Sequence, residues 1–245
     1  MKEHDSWFER GHVALVTGAS KGLGRAVARE LALRGLRLIV TARDAVALAE
    51  AAEELSRITD VEAIAGDVAE VEHAHRLIER ARSAFGRLDL LVNNASTLGI
   101  VPLPSLERLS PNVFDKLFRT NVFAPLHLSQ HALPFLLRSG GTIVNVSSDA
   151  GANAYPGWGG YGASKAALEH LSRTLAAELD GFGISIIVVD PGSIDTEMHR
   201  AAEPEADFTT MARAEDVAPL LLEAIASNRG PFARVELQLL GAAAL

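Results

Sequence analysis

Short apolar runs rich in β-branched residues alternate with amphipathic stretches along almost the whole chain, and no other feature constrains the fold as much. Residues 13–17 form the first such run and turn at Gly18. Residues 23–34 follow with helical character and stop at Gly35. Strand and helix patterns then alternate through 36–41, 45–57, 61–65, 70–85 and 88–92. Ser110, with Pro111 at the first helical position, opens a long helix towards Leu137, and Pro125 inside it predicts a kink. A strand at 142–146, a helix at 161–179, a strand at 184–189, a helix at 214–227 and a closing strand at 234–239 complete the series. The pattern predicts an α/β fold: a doubly wound parallel sheet of about seven strands, Rossmann-like, with helices on both faces. No linker, repeat or low-complexity segment interrupts it, so residues 1–245 read as a single catalytic domain. Residues 1–11 read as an N-terminal lead and 193–211 as a substrate lid. Ligands of such sheets lie at the carboxyl ends of the strands.

A parallel sheet covered on both faces needs an aliphatic core, and a chain that is 48% hydrophobic with only 5% aromatic residues supplies one. A formal net charge of −8 leaves no global basic field for nucleic acid or an anionic membrane. The absence of cysteine excludes disulfides and cysteine-based metal or redox chemistry. No segment approaches the apolar length of a membrane span, and the first eleven residues lack a signal-type apolar run, so a soluble cytoplasmic protein is expected. His127 and His131, four apart on a helix, are a possible metal pair, but no HExxH pattern or acid cluster accompanies them and no metal is expected. His73 and His75 fall on different helix faces and are expected in solvent.

Two local patterns carry chemistry. Tyr161 lies four residues before Lys165 on one helical face, where an ammonium beside a phenol favours the phenolate and suits the tyrosine to proton transfer. Taken alone, the spacing is equally that of two unrelated surface residues. Thr17-Gly18-Ala19-Ser20-Lys21-Gly22-Leu23-Gly24 joins the first strand to the first helix. Glycines there permit a tight turn and close approach to a pyrophosphate, and the helix N-terminus offers free N–H groups. An ordinary tight loop is the alternative.

The glycine spacing, Asn93-Asn94-Ala95 after the fourth strand, Asn121, Ser148 and the Tyr161/Lys165 pair together resemble the short-chain dehydrogenase/reductase family. Asp67-Val68 after the third strand and Pro191-Gly192 after the sixth match further family motifs in order, and the resemblance covers residues 13 to about 239. It implies that Gly18, Ser20, Lys21, Gly22, Leu23 and Gly24 hold a nicotinamide dinucleotide. Asp67 is implied at the adenine amino group with Val68 beside it, Asn93 and Ala95 at the ribose, and Ile194 and Thr196 at the nicotinamide carboxamide. Asp67 as a cap of the third helix is the structural alternative. The resemblance further implies that Ser148 hydrogen-bonds the substrate oxygen and that Tyr161 transfers the proton. Lys165 would lower the tyrosine pKa and hold the ribose, and Asn121 would support a water linking Lys165 to solvent. Ser147 would then help hold the strand end.

The second strand ends Thr41-Ala42-Arg43, without the carboxylate that binds both ribose hydroxyls in NAD sites. Arg43 can pair with a 2′-phosphate and Lys21 adds positive charge on the same side, so NADP(H) is expected rather than NAD(H), with Asp44 at the ribose as the alternative. Two departures from the family pattern stand out. Ser96 replaces the commoner glycine after Ala95, placing a hydroxyl near cofactor and substrate, and the chain ends in Gly241-Ala242-Ala243-Ala244-Leu245 without the usual acidic, glycine-containing tail. At least a homodimer is expected through the Ser110 and Tyr161 helices, with a homotetramer in doubt. Segments 96–104, 149–160 and 193–211 should shape the substrate pocket. The expected activity is NADPH-dependent reduction of a carbonyl to an alcohol. A 3-oxoacyl-thioester reductase, a pterin reductase and a non-catalytic NADPH-binding sensor are the alternatives.

Overall fold

In the computed structural model, which describes residues 7–237, seven parallel strands form one sheet in the order β3-β2-β1-β4-β5-β6-β9. The strands are β1 (Val13–Thr17), β2 (Arg37–Thr41), β3 (Val61–Ala63), β4 (Leu90–Asn93), β5 (Thr142–Val146), β6 (Ser185–Asp190) and β9 (Phe232–Glu236). A separate two-stranded sheet pairs β7 (Ile194–Asp195) with β8 (Ala212–Arg213). The long helices are α1 (Gly22–Leu33), α2 (Ala45–Ser56), α3 (Val71–Arg80), α4 (Pro111–Phe118), α5 (Ala124–Ser139), α6 (Gly159–Glu178) and α8 (Ala214–Ser227), with a short α7 (Glu197–Ala202) between β7 and β8. Among the described residues, no helix is long and apolar enough to cross a membrane.

Alternation along each strand divides the core into two layers. Ala14 and Val16 of β1 pack with Leu31 of α1, Leu48 of α2 and Leu221 of α8 on one face. Val13 and Leu15 face the other way, onto Leu77 of α3 and Leu128 of α5. The N-terminal lead joins the first layer: Phe8 is buried in it, and Arg229 stacks on Trp7 with its guanidinium 5.0 Å from the ring centroid.

The expected long helix from Ser110 is present but interrupted. The Ser110 hydroxyl caps α4 by accepting the Val113 N–H. A π-helical turn, Arg119–Phe123, then separates α4 from α5, with Pro125 in the first turn of α5. Pro125 has no N–H to offer the Asn121 carbonyl four residues back, which accounts for the wider turn at this point. A second π turn, Ala81–Phe85, extends α3 before Gly86 ends it in the left-handed conformation. The last strand is shifted towards the N-terminus relative to expectation, and residues 238–245, including the alanine-rich end, lie outside the described residues.

His73 corrects the solvent-exposed expectation. It is fully buried, with its ring Nε2 2.7 Å from Thr41 Oγ1 and Nδ1 3.1 Å from Arg76 Nη2. Thr41 also donates to the Ile64 carbonyl at 2.6 Å, so one histidine ties the ends of β2 and β3 to α3. Burial, with Arg76 next in effect, pushes the His73 pKa below its ordinary 6.5. A group depressed in the folded state contributes stability above its unfolded pKa and loses it as pH falls towards the folded one. Thermal unfolding midpoints are therefore expected to decline as pH falls below about 6.5, and a His73→Gln variant should show a shallower decline over the same window.

Candidate active site

The sheet order reverses between β1 and β4, and above their carboxyl ends opens a cleft of about 1680 Å³. Its centre is clasped by Thr17 and Asn94. Thr17 Oγ1 accepts the backbone N–H groups of Asn94 and Ala95, each at 3.0 Å, and donates to the Val92 carbonyl at 3.3 Å. The Asn94 amide in turn donates to the Thr17 carbonyl at 2.8 Å. This clasp fixes the shape of the glycine turn. Gly18 has φ of +68°, and a Cβ on Gly24 would stand 2.3 Å from the Gly18 carbonyl and 2.4 Å from Asn94 Nδ2. Lys21 precedes α1 without any side-chain cap, and no acid occupies the first turn, so the helix end presents its N–H groups uncompensated. The sequence reading quoted Asn94 as part of a motif but gave neither it nor Thr17 a role.

At the far end of the cleft, Arg43 is exposed and makes no ion pair among the described residues. Asp44 instead caps α2, its carboxylate accepting from Val46 N at 3.0 Å and Ala47 N at 3.1 Å. Gly66 and Val68 form the wall here, while Asp67 turns its carboxylate onto Ala69 N at 2.9 Å, ahead of α3 rather than capping it. Lys21 is not free to act with Arg43, because its ammonium pairs with Glu197 of α7 across the cleft mouth.

Asn93 departs from its expected place at the ribose. Its side chain is buried in the sheet, donating to Asn145 Oδ1 at 2.8 Å, and Asn145 donates onward to Ser172 of α6. Ala95, Ile194 and Thr196 do border the cleft with Pro191 and Gly192. Thr196 also caps α7 by accepting the His199 N–H at 3.3 Å.

Ser148, Tyr161 and Lys165 border one end of the cleft. Lys165 is 2% exposed, with Nζ donating to the Val146 carbonyl at 2.8 Å and standing 5.4 Å from the Tyr161 ring centroid. Burial pushes the Lys165 pKa down to about 8, opposed by Asp190 and Glu169. Burial likewise pushes Tyr161 up to about 12, with a Ser96 hydrogen bond opposing and Asp190 and Asp149 adding. Burial thus outweighs the expected lowering of the phenol by its lysine, and the phenol carries its proton at neutral pH. Ser148 is partly exposed and donates to Asp149 at 3.1 Å, whereas Ser147 is buried and donates to Glu169 at 2.7 Å. Tyr155 donates to the other Asp149 oxygen at 2.6 Å.

Asn121 lies in the π turn rather than on the cleft wall. Its amide donates to the Thr97 carbonyl and to Ser164 Oγ, both at 3.0 Å, and its Oδ1 accepts from Thr97 N at 2.9 Å and Ser96 Oγ at 3.1 Å. Ser96 thus gives its one hydroxyl proton to Asn121 while standing beside the Tyr161 phenol, a placement that only its unusual position in the motif could have signalled. Among the described residues, no group of three or more His, Cys, Asp or Glu is arranged to hold a metal.

A Gly24→Ala substitution is expected to destabilise the fold by about 1–3 kcal/mol, the usual cost of overpacking. Urea unfolding would measure it, and the same substitution at the solvent-facing Gly181, where a Cβ meets nothing within 4 Å but φ is +83°, gives the cost of backbone strain without a clash.

The short chain dehydrogenase family model matches residues 12–207. A short-chain type dehydrogenase/reductase of Picea abies is 35% identical over 247 residues, covering 92% of this chain and 89% of that one. A 3-oxoacyl-(acyl-carrier-protein) reductase of rhamnolipid biosynthesis from Pseudomonas aeruginosa is 37% identical over 211 residues, covering 83% and 81%. The crystal structure of an alcohol dehydrogenase from Thermococcus sibiricus, complexed with 5-hydroxy-NADP, superposes with a TM-score of 0.81 at 27% identity, over 91% of this chain and 95% of that one. A reversed sheet order beneath a glycine cradle, a tyrosine beside a buried lysine and these matches have one reading: the chain belongs to the short-chain dehydrogenase family.

Proposed function

We propose that this protein is an NADPH-dependent oxidoreductase that reduces a ketone or aldehyde to an alcohol, with Tyr161 as proton donor. The observation that carries the reading is the Tyr161 phenol beside the buried Lys165 ammonium, in the same cleft as an uncapped, glycine-lined helix N-terminus. NADPH, when bound, supplies the hydride. The free N–H groups at the start of α1 suit its pyrophosphate, and Gly18 and Gly22, both at positive φ, bring bare backbone to the cleft wall there. Ala95, Ile194 and Thr196 are candidates for the ribose and carboxamide. With Asn93 committed to Asn145, its backbone is all it can offer there.

Arg43 supports the choice of NADPH. It borders the cleft without an ion pair among the described residues, while the adjoining carboxylate, Asp44, is spent on capping α2. Lys21 joins it only after parting from Glu197. An Arg43→Ala variant is expected to weaken NADPH binding about 10- to 100-fold, the worth of a charge-assisted hydrogen bond, and to leave NADH unchanged. Fluorescence titration of both nucleotides checks it.

Ser148 and Tyr161 donate to the substrate oxygen as negative charge develops on it. Tyr161 then gives up its Oη proton, and the Lys165 ammonium, anchored on the Val146 carbonyl, stabilises the phenolate left behind. Behind the phenol, Ser96 and the Thr97 N–H both donate to the Asn121 side-chain oxygen, a polar cluster at the back of the site. A Tyr161→Phe variant should bind NADPH normally while losing about 10²- to 10⁴-fold in turnover. Full turnover in that variant would overturn the mechanism. The substrate panel runs NADPH against NADH with diketones, quinones, aryl aldehydes, a pterin and a 3-oxoacyl thioester, the last chosen because the P. aeruginosa relative is a 3-oxoacyl reductase. The same reading takes the chain as at least a dimer, since Phe114 and Phe123, on α4 and the π turn, are exposed where the expected contact lies.

A further inference from the structure

Asp190 ends β6 as a buried carboxylate, 5% exposed, yet it borders the cleft. In the sheet register Val189 stands opposite Val146, whose carbonyl anchors Lys165, so Asp190 extends one residue further towards the reacting end. Its Oδ1 accepts the Gly192 N–H at 3.0 Å, closing the turn through Pro191. Its Oδ2 is 3.8 Å from Arg234 Nη2 on β9. Arg234 is shared: Glu169 of α6 accepts from its Nε at 3.0 Å and Glu236 from its Nη1, so Asp190 is the loosest of its three carboxylates. The charged and titratable groups facing Asp190 are Lys165, Tyr161 and Glu169 of α6, Asp149 and Tyr155 between β5 and α6, and Arg234 and Glu236 of β9.

We propose that Asp190 is a positioning residue for charge, whose buried carboxylate keeps the proton on both Tyr161 and Lys165. A fixed negative charge beside an ammonium favours the ammonium, and beside a phenol it disfavours the phenolate, so one carboxylate acts in the same sense on both. It opposes the burial that pulls Lys165 down to about 8, and adds to the burial that lifts Tyr161 to about 12. Burial above all, with Asp149 and Glu236 adding, raises the pKa of Asp190 itself, while the Gly192 N–H and Arg234 favour its ionised form. The proposal rests on the reading of Tyr161 as proton donor.

Asp190→Asn removes the charge and keeps an Oδ1 for the Gly192 N–H. The chain has two tyrosines, so in a Tyr155→Phe background the tyrosinate absorbance reports Tyr161 alone. Asp190→Asn in that background should move the Tyr161 midpoint down from about 12, read by rapid pH jump with circular dichroism confirming the fold. In the native background it should move the alkaline limb of kcat/KM for carbonyl reduction to lower pH, because reduction needs both protons and the substitution releases both sooner. An unchanged Tyr161 midpoint overturns the proposal whatever the turnover. A limb that moves in Asp190→Ala and not in Asp190→Asn also overturns it, since the Asp190–Gly192 turn rather than the charge would then be responsible. If Tyr161→Phe keeps full turnover, the functional reading falls, and the absorbance titration still decides the effect of Asp190.

Discussion

Everything at the active end hangs on the hydrogen-bonded clasp between Thr17 and the Asn94-Ala95 backbone. β1 and β4 stay paired as far as Val16 and Val92, but the helices that follow them pack on opposite faces of the sheet, and the crevice left above the strand ends is what a ligand enters. A gap held only by apolar packing would have no fixed width. Here one threonine hydroxyl and one asparagine amide set it, and they also dictate where side chains are forbidden in the glycine turn. The architecture of the cleft is therefore a consequence of polar pairing at the sheet edge, while the two apolar layers beneath supply the stability that lets the edge be polar.

The catalytic end follows a different logic. An ammonium is held in a site where water is scarce, and its one direct partner is the neutral Val146 carbonyl. Carboxylates surround it without touching it, and Arg234 balances them from β9. Such an arrangement is costly to assemble and strongly destabilised when one member is lost. It also lets proton affinities be set by groups that never meet the substrate.

Fold class was legible because the strands are short, β-branched and flanked by glycine, and their alternation with helical stretches permits few other arrangements. β9 begins at Phe232, two residues before the expected start, so that Phe232 and Ala233 pair with Ile186 and Ile187. The π turns were hidden, because residue spacing alone does not distinguish a widened turn from a kink at Pro125. His73 could have been found: with Ala74, Leu77, Ile78 and Ala81 it falls on the buried stripe of its helix. Glu169, Asp190 and Arg234 could not, since they come from three distant segments and only the sheet order brings them together. The pairing of Lys21 with Glu197 was equally invisible, and it removes a charge that sequence had assigned to the phosphate.

That pairing joins the glycine turn to the first residue of α7, and both side chains are largely in solvent. A fastening of this kind takes its strength from the medium, since electrolyte screens exposed charges and the pair itself is weak. One lysine cannot fully serve the Glu197 carboxylate and a second anion at once. Any anion that settles on the glycine turn therefore competes with α7 for a single cation, and the bond between turn and helix becomes the cost of its arrival.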